Sequence, residues 1–334
     1  VGNSKITVLV PVYNVEKYIT KCLDSLMAQS FKDFEVWAVS DGSPDNSAKI
    51  INEYSKKDPR IKLIEKENGG YGSVLQYGVD NVRSKYLLVC DPDDWLAEDA
   101  LSDLYTFAED NRLDIAVADR FNVYSSDPTD IDYVYTFKGN PKIKPKVVYD
   151  QSNGIQSFSN GLSSPHAKLF RSTILKGITF PLHVNFTDFV LYIISLANSN
   201  RVAYLNEALA YYLTDRPGNT RTDVDPKVIG DYLVGWNSIL EQLEVKGVTK
   251  NRLLLSKLLR QIKFILSQYA KVSQNRFKDD YWTNLLLAIK KLQSYNLKLP
   301  DLDDQTVKGK IIDMGLMNSK FYTVFAKIKV IQNS

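Results

Sequence analysis

From Lys5 onward, apolar and polar positions switch between two rhythms. Ile6-Thr7-Val8-Leu9-Val10 is an apolar run of strand length, and Val15 to Ala28 then places Ile19, Cys22, Leu23 and Leu26 on one helical face. The exchange repeats with a strand over Phe34 to Val39, a helix from Ser43 to Tyr54 starting beside Pro44, and a strand over Ile61 to Ile64. A helix over Ser73 to Val82, a strand over Tyr86 to Cys90, a helix over Glu98 to Glu109 and a strand at Ile115-Ala116-Val117 complete the series. This alternation predicts an α/β fold whose mostly parallel sheet is flanked by helices. Sheets of that kind take ligands beyond the carboxyl ends of their strands. Three polar segments fall there: Pro11-Val12-Tyr13-Asn14, Ser40-Asp41-Gly42-Ser43 and Asp91-Pro92-Asp93-Asp94.

Past residue 118 the alternation breaks. Tyr133 to Phe137 and Val147 to Tyr149 read as antiparallel strands on either side of a polar turn region, Lys138 to Lys146. Asp188 to Ala197 reads as a helix, and Val202 to Leu205 and Leu209 to Leu213 as two short strands. From Pro226 the pattern is helical, with Leu253, Leu254, Leu258, Ile262, Ile265 and Leu266 on one broad face and a later helix carrying Leu285 to Ile289. The expected organisation is an α/β domain over 1–225, in halves 1–118 and 119–225, followed by an all-helical region over 226–334.

Composition changes this picture little. Hydrophobic residues make up 44% of the 334 and charged residues 24%, ordinary values for a soluble globular chain. No run approaches the roughly 18 apolar residues of a membrane span, and no signal-peptide pattern opens the chain. Cys22 and Cys90 lie in apolar patterns, away from metal-ligand spacing, and read as buried free thiols of a reducing compartment. The expectation is a cytoplasmic protein.

Charge changes it more. The net charge of +3 divides into 17 Lys and Arg against 8 Asp and Glu from Glu241 onward, and 25 against 31 before it. An acidic front half suits a cation-assisted site, and a basic rear half suits an anionic surface or acceptor; solvated faces of Lys-rich helices explain the latter equally well. Lys320, Lys327 and Lys329 punctuate an amphipathic end, which suggests peripheral contact with the inner face of a membrane, whereas core packing accounts for the tail's other apolar residues.

The candidate chemistry centres on three carboxylates in four positions, Asp91, Asp93 and Asp94. Like charges this close repel, and each needs a counter-charge or water. A hard divalent cation holding a phosphate would supply one, while a solvated turn with Asp93 or Asp94 capping a helix is the plainer reading. Asp41 ends the second strand where a dinucleotide-binding fold would hold a ribose. That fold needs a glycine-rich turn after the first strand, and Pro11-Val12-Tyr13-Asn14-Val15 has no glycine, which argues against a dehydrogenase. A carboxylate there can accept a base N–H instead, with Tyr13 offering a stacking face.

Taken together, Pro11-Val12-Tyr13-Asn14, Ser40-Asp41-Gly42-Ser43-Pro44-Asp45-Asn46-Ser47, Glu67-Asn68-Gly69-Gly70 and Asp91-Pro92-Asp93-Asp94-Trp95 resemble glycosyltransferase family 2, inverting enzymes of GT-A fold that build bacterial glycans. The likeness runs through residues 4–120. It continues more weakly through His166 to Phe170, Asn185 to Asp188, and Tyr211 to Leu213 with Arg216 to Thr220, and it leaves the helical tail uncovered.

The resemblance implies roles. Pro11, Val12, Tyr13 and Asn14 would flank a nucleotide base, usually uracil, bonded by Asp41, with Asn68 and Gly69 beside the donor. Asp91 and Asp93 would be the acidic pair of the family's DXD motif, contacting ribose or sugar and a Mn2+- or Mg2+-bound diphosphate. Pro92 lies between them, and Asp94 would touch donor sugar or cap a helix. Asp188 would be the catalytic base. Lys168 and Arg216 would neutralise phosphate. Beyond the resemblance, Thr214 to Asp225, rich in Asp, Arg, Gly, Asn and Thr, has the composition of a loop expected to close over the donor, His166 could approach the metal or diphosphate, and His183 reads as structural or at the rim.

Three departures stand out: Thr187-Asp188 replaces a frequent Glu-Asp, Val74-Leu75-Gln76 a frequent Ala-Arg-Asn, and His166 a frequent Trp. The implied activity is metal-dependent transfer of a hexose, galactose or glucose by base rate, from a UDP-sugar to a saccharide acceptor on a glycoprotein or lipid carrier. No nucleic-acid partner is expected. A sugar nucleotidyltransferase and a non-catalytic sugar-nucleotide-binding accessory protein are the competing readings.

Overall fold

The computed structural model describes residues 4–127, 129–138, 142–151, 154–217, 226–247, 252–273, 277–297 and 306–332. The chain forms two compact units. One comprises Val1–His183 with Thr187–Asn219; the other comprises Val184–Phe186 with Thr220–Ser334.

The first unit runs β1 (Ile6–Val12), α1 (Ile19–Met27), β2 (Phe34–Asp41), α2 (Ser47–Lys57), β3 (Ile61–Lys66), α3 (Tyr71–Asn81), β4 (Tyr86–Val89), β5 (Trp95–Leu96), α4 (Ala100–Asp110) and β6 (Ile115–Val123). It continues with β7 (Ile131–Val134), β8 (Val148–Tyr149), a 3-10 turn over Ile155–Asn160, β9 (Lys168–Arg171), α5 (Ser172–Leu175), α6 (Asp188–Asn198) and β10 (Val202–Leu213). The strands share one sheet in the order β3-β2-β1-β4-β9-β6-β10-β5, with β7 on β6 and β8 on β10. β1 pairs parallel with β2 and β4, β2 with β3, and β6 with β10.

β1 is buried at all seven positions, as a central strand covered on both faces must be. On one face it meets the apolar stripe Ile19, Cys22, Leu23 and Leu26 of α1, within a core that also takes Leu101, Leu104 and Ala108 of α4. Burying such a stripe is worth about 1.5–3 kcal/mol per large apolar side chain, which is what holds α1 in place. Cys22 and Cys90 are buried free thiols with their sulfurs 3.8 Å apart.

β9 runs antiparallel between β4 and β6. Its leading end therefore lies where β4 finishes, with Leu169 opposite Leu88, and Lys168 and the turn before it meet the carboxyl edge of that strand.

The middle of the chain departs from the sequence pattern in its pairing. β7 and β8 do not pair with each other; β7 adds to β6 through Phe121↔Tyr133, and β8 adds to β10 through Val202↔Tyr149. The longer strands β6 and β10 offer more ladder than two short segments offer one another. β10 is also continuous where the sequence suggested two strands. Asn206 and Glu207 interrupt the apolar pattern, and the strand absorbs them as register shifts between Leu205 and Ala210.

The second unit is built on α7 (Lys227–Val245), α8 (Arg252–Val272), α9 (Asp280–Gln293), α10 (Val307–Met317) and α11 (Tyr322–Ile331). Trp236 is fully buried and its indole N–H donates to the Leu258 carbonyl at 3.0 Å. Asp279 caps α9, accepting from the Trp282 N–H at 2.8 Å. The buried Asp313 carboxylate lies 2.6 Å from the Lys263 ammonium.

Candidate active site

The site is assembled at the carboxyl edge of the sheet, entirely within the first unit. Past β1, Asn14 takes a left-handed turn (φ 55°) and its N–H donates to Ser43 Oγ at 2.8 Å, tying the first two loops together. Tyr13, beside it, is half exposed. Asp45 braces the same junction. Burial works against its ionisation, but bonds from Ser43, Ser47 and the Glu16 N–H outweigh that and hold its carboxyl at about 2.

Asp41 is buried and saturated. Its Oδ1 accepts from Lys66 Nζ, the Gly69 N–H at 3.0 Å and Ser73 Oγ at 3.2 Å, and its Oδ2 accepts from the Gly70 N–H at 2.8 Å. Asn68 Nδ2 adds a bond to its carbonyl at 2.8 Å. This carboxylate organises the Asn68-Gly69-Gly70 turn, and contact with a bound base would share or displace one of these donors. Gly70 is required twice over: its φ is +81°, and a Cβ there would come within 2.9 Å of the His183 backbone. His183 in turn donates its N–H to the Gly69 carbonyl at 2.7 Å, which places it on the rim of the turn.

The acidic segment past β4 is organised differently. Tyr71, at the start of α3, donates its hydroxyl to Asp91 Oδ1 at 2.9 Å. Burial, and then the charge of Asp93, push the Asp91 carboxyl up to about 7. Asp93 is held by the Arg216 guanidinium, which also lies over the Tyr18 ring. Asp94 is buried, accepts from the Leu213 N–H at 3.0 Å, and is pushed well above the carboxylate range by burial and by Asp93 and Asp91.

His166 bridges Asp94 to a buried arginine. Arg120 Nη1 lies 2.9 Å from His166 Nδ1, and His166 Nε2 lies 2.6 Å from Asp94 Oδ2. A guanidinium can only donate, so Nδ1 accepts, and the neutral ring carries its proton on Nε2 and gives it to Asp94. Ala167, in a left-handed conformation (φ 48°), separates His166 from Lys168, which is buried and donates to the Ser164 carbonyl.

Asp188 opens α6. Burial pushes its carboxyl up to about 6, against the Phe189 N–H and the Lys168 ammonium, which favour the charged form. The charge of Asp188 also disfavours ionisation of Asp91 and Tyr71, so these groups share one electrostatic neighbourhood.

Of the residues singled out from the sequence, Asp91, Asp94 and His166 come together, with one potential ligand atom each and all within 4.8 Å of one another. Asp93 stands beside them on Arg216. Asp41 with Asn68 and Gly69 forms the neighbouring loop, and Pro92 sits buried within the acidic turn. Of Thr214 to Asp225, the segment from 218 lies outside the described residues. The sequence reading missed Lys66, Tyr71, Ser73 and Arg120. Tyr71 and Ser73 follow the Asn-Gly-Gly turn directly, and Arg120 breaks an apolar strand, which are the signals that were available.

This topology is shared with known proteins. Residues 7–178 match the family described as Glycosyl transferase family 2. The chain belongs to that family. The glycosyltransferase GlyA of Streptococcus pneumoniae serotype 4 is 34% identical over 219 residues, covering 63% of this chain; the match spans only 30% of GlyA's length. The crystal structure of Staphylococcus aureus TarS 1-349 in complex with UDP-GlcNAc superposes with a TM-score of 0.66 at 20% identity, over 97% of this chain and 90% of TarS 1-349. A mannosyltransferase from Pyrobaculum calidifontis, solved with GDP-Man and Mn2+, superposes with a TM-score of 0.54 at 12% identity, over 99% of this chain and 87% of that one. The fold of this family 2 glycosyltransferase is accordingly GT-A, with a C-terminal helical region.

Three carboxylates crowd one turn, burial and then the charge of Asp93 lift the Asp91 carboxyl to about 7, and Asp91 Oδ2 faces His166 Nε2 at 4.0 Å. Crowded hard oxygen donors of this kind fit Mn2+ or Mg2+. His166 fits less well, because both of its ring nitrogens are engaged.

Proposed function

We propose that this glycosyltransferase moves a hexose from a UDP-sugar to a saccharide acceptor with inversion, in the cytoplasm, and that Asp188 is the base. The observation that carries this reading is the position of Asp188: a carboxylate at a helix start, lifted to about 6 by burial, in one electrostatic field with Lys168, Tyr71 and Asp91. At pH 7 such a group is mostly ionised yet basic enough to accept a proton from an acceptor hydroxyl.

The acceptor oxygen attacks the anomeric carbon as the bond to the UDP oxygen breaks; the hydroxyl proton goes to Asp188 Oδ and later to solvent. Lys168 keeps Asp188 from being protonated too readily. Asp41 holds the Asn68-Gly69-Gly70 turn against the nucleotide, and the exposed ring of Tyr13 is available to stack on the base. Asp91 and Asp93 would hold a divalent cation, whose chemistry is to neutralise charge on the departing diphosphate. Arg216 lies on Asp93 and is within reach of the same charge, so donor and Asp93 compete for it.

Galactose or glucose is the proposed hexose. The TarS complex with UDP-GlcNAc supports an N-acetylhexosamine as the second reading. A nucleotidyltransferase fits less well, because the turn after β1 lacks the glycines that would hold a triphosphate. The acceptor is proposed to be a glycan on a protein or a lipid carrier. Incubation with a panel of nucleotide sugars, with Mn2+ and with EDTA, tests the reading: UDP-hexose turnover that EDTA abolishes supports it. Binding of UDP-sugars with no transfer or hydrolysis under any condition would refute it.

A further inference from the structure

The second unit exposes an apolar surface that neither the donor site nor the core explains. On α10, Val307, Ile311 and Met314 are 77%, 47% and 39% exposed and recur at i, i+4 and i+7. That spacing makes one stripe, opposite the buried Ile312 and Leu316. On α11 and the turn before it, Phe321, Val324 and Ile331 are 54%, 52% and 63% exposed, opposite the buried Ala326 and Val330. Two adjacent helices thus each bury one apolar face and present a second to solvent.

Among the described residues of this segment, 306–332, the outward charges have one sign; Asp301, Asp303 and Asp304, which precede α10, lie outside the described residues. Residues 306–332 contain five lysines and a single acid, Asp313. Asp313 is 2% exposed and paired with Lys263, so it contributes little outward. Lys308 and Lys310 flank the α10 stripe on either side, and Lys320 and Lys327 lie beside that of α11; all four are exposed.

We propose that α10 and α11 dock on the surface of an anionic phospholipid bilayer. Exposed apolar stripes flanked by lysines are the pattern of helices that lie in the interfacial plane, their apolar side chains among the acyl chains and their ammonium groups at the headgroups. A lipid surface needs no shape complementarity, which suits two convex helices. A second copy of the chain fits poorly, because a two-fold contact through this face sets lysines against lysines. No helix among the described residues is long and apolar enough to cross a membrane, so the contact is one of lying on the surface.

Co-sedimentation of the full chain with vesicles tests this without turnover, and so independently of the donor reading. With phosphatidylcholine vesicles containing about 30 mol% phosphatidylglycerol, partitioning is expected to exceed that on pure phosphatidylcholine at least tenfold, since the attractions of several lysines to an anionic surface add. The combined Lys308→Ser, Lys310→Ser, Lys320→Ser and Lys327→Ser variant is expected to lose that preference. The combined Ile311→Ser, Phe321→Ser and Val324→Ser variant is expected to lose binding to both vesicles, with an unchanged far-UV circular dichroism spectrum and thermal melt as the check on folding. Equal partitioning on the two vesicles overturns the proposal. So does undiminished binding by either variant, or a dimer in sedimentation equilibrium that the apolar variant dissolves.

Discussion

Asp41 and Asp91 follow the two strands that flank β1, and the protein treats their carboxylates in opposite ways. Asp41 is surrounded by donors of the protein's own: an ammonium, two backbone N–H groups and a hydroxyl. Asp91 receives one phenol hydroxyl and faces Asp93 and Asp188. The first arrangement is finished and rigidifies a turn. The second crowds carboxylates that find only partial counter-charge, in Arg216 on Asp93, which suits it to binding a cation. Residue type and strand position are the same; the neighbours decide.

The comparison is most sharply broken at the reacting group. Asp188→Asn is expected to lower transfer about 1,000-fold or more while UDP affinity, measured by calorimetry, stays within a few-fold. If transfer survives, the base lies elsewhere.

Metal removal comes next. Asp91→Asn should weaken Mn2+ binding, followed by its paramagnetic signal, and cut turnover about 100-fold, whereas Asp41→Asn should leave Mn2+ affinity unchanged.

Stability should move in opposite directions. At Asp91 the folded carboxyl sits near 7, above the unfolded value of 3.8, so the folded state binds more protons and loses stability as pH rises from about 4 to 7. Above pH 7 without metal, Asp91→Asn removes that repulsion and the melting temperature should rise by about 3 °C. Asp41→Asn removes the charge opposite Lys66 and turns one acceptor oxygen into an NH2 that cannot accept from the turn's amides, and should cost about 2 kcal/mol in urea unfolding. Equal and same-signed effects would erase the distinction between the two sites.

The turn beneath Asp41 offers a graded version. Gly70→Ala, with φ +81° and a backbone atom at 2.9 Å, should cost about 3 kcal/mol. Gly177→Ala, with φ +73° and nothing within 4 Å, should cost about 1 kcal/mol.

The smallest effect is on pH. Turnover should fall below about pH 6 as Asp188 takes up a proton. Because Lys168 favours the charged form, Lys168→Met should move this acid limb to higher pH. A limb that stays put would mean Lys168 acts only in packing.

The sequence carried the parallel half of the fold almost whole, because buried strands and amphipathic helices are local patterns: Ile6 to Val10, the α1 stripe and the turn residues after each strand are legible without any contact map. It also carried the identity of the acids, since Asp41, Asp91, Asp93, Asp94 and Asp188 stand at strand ends or a helix start that those patterns locate. It did not carry the pairing of β7 with β6, the continuity of β10 across Asn206-Glu207, or the antiparallel β9 that brings Lys168 to the edge. Strand partners are chosen by long-range ladders, and nothing local encodes them. The same limit applies to chemistry. Which carboxylate Lys66 would neutralise, which nitrogen of His166 Arg120 would claim, and how far burial would lift Asp188 depend on residues tens of positions away, and only the tertiary structure decided them.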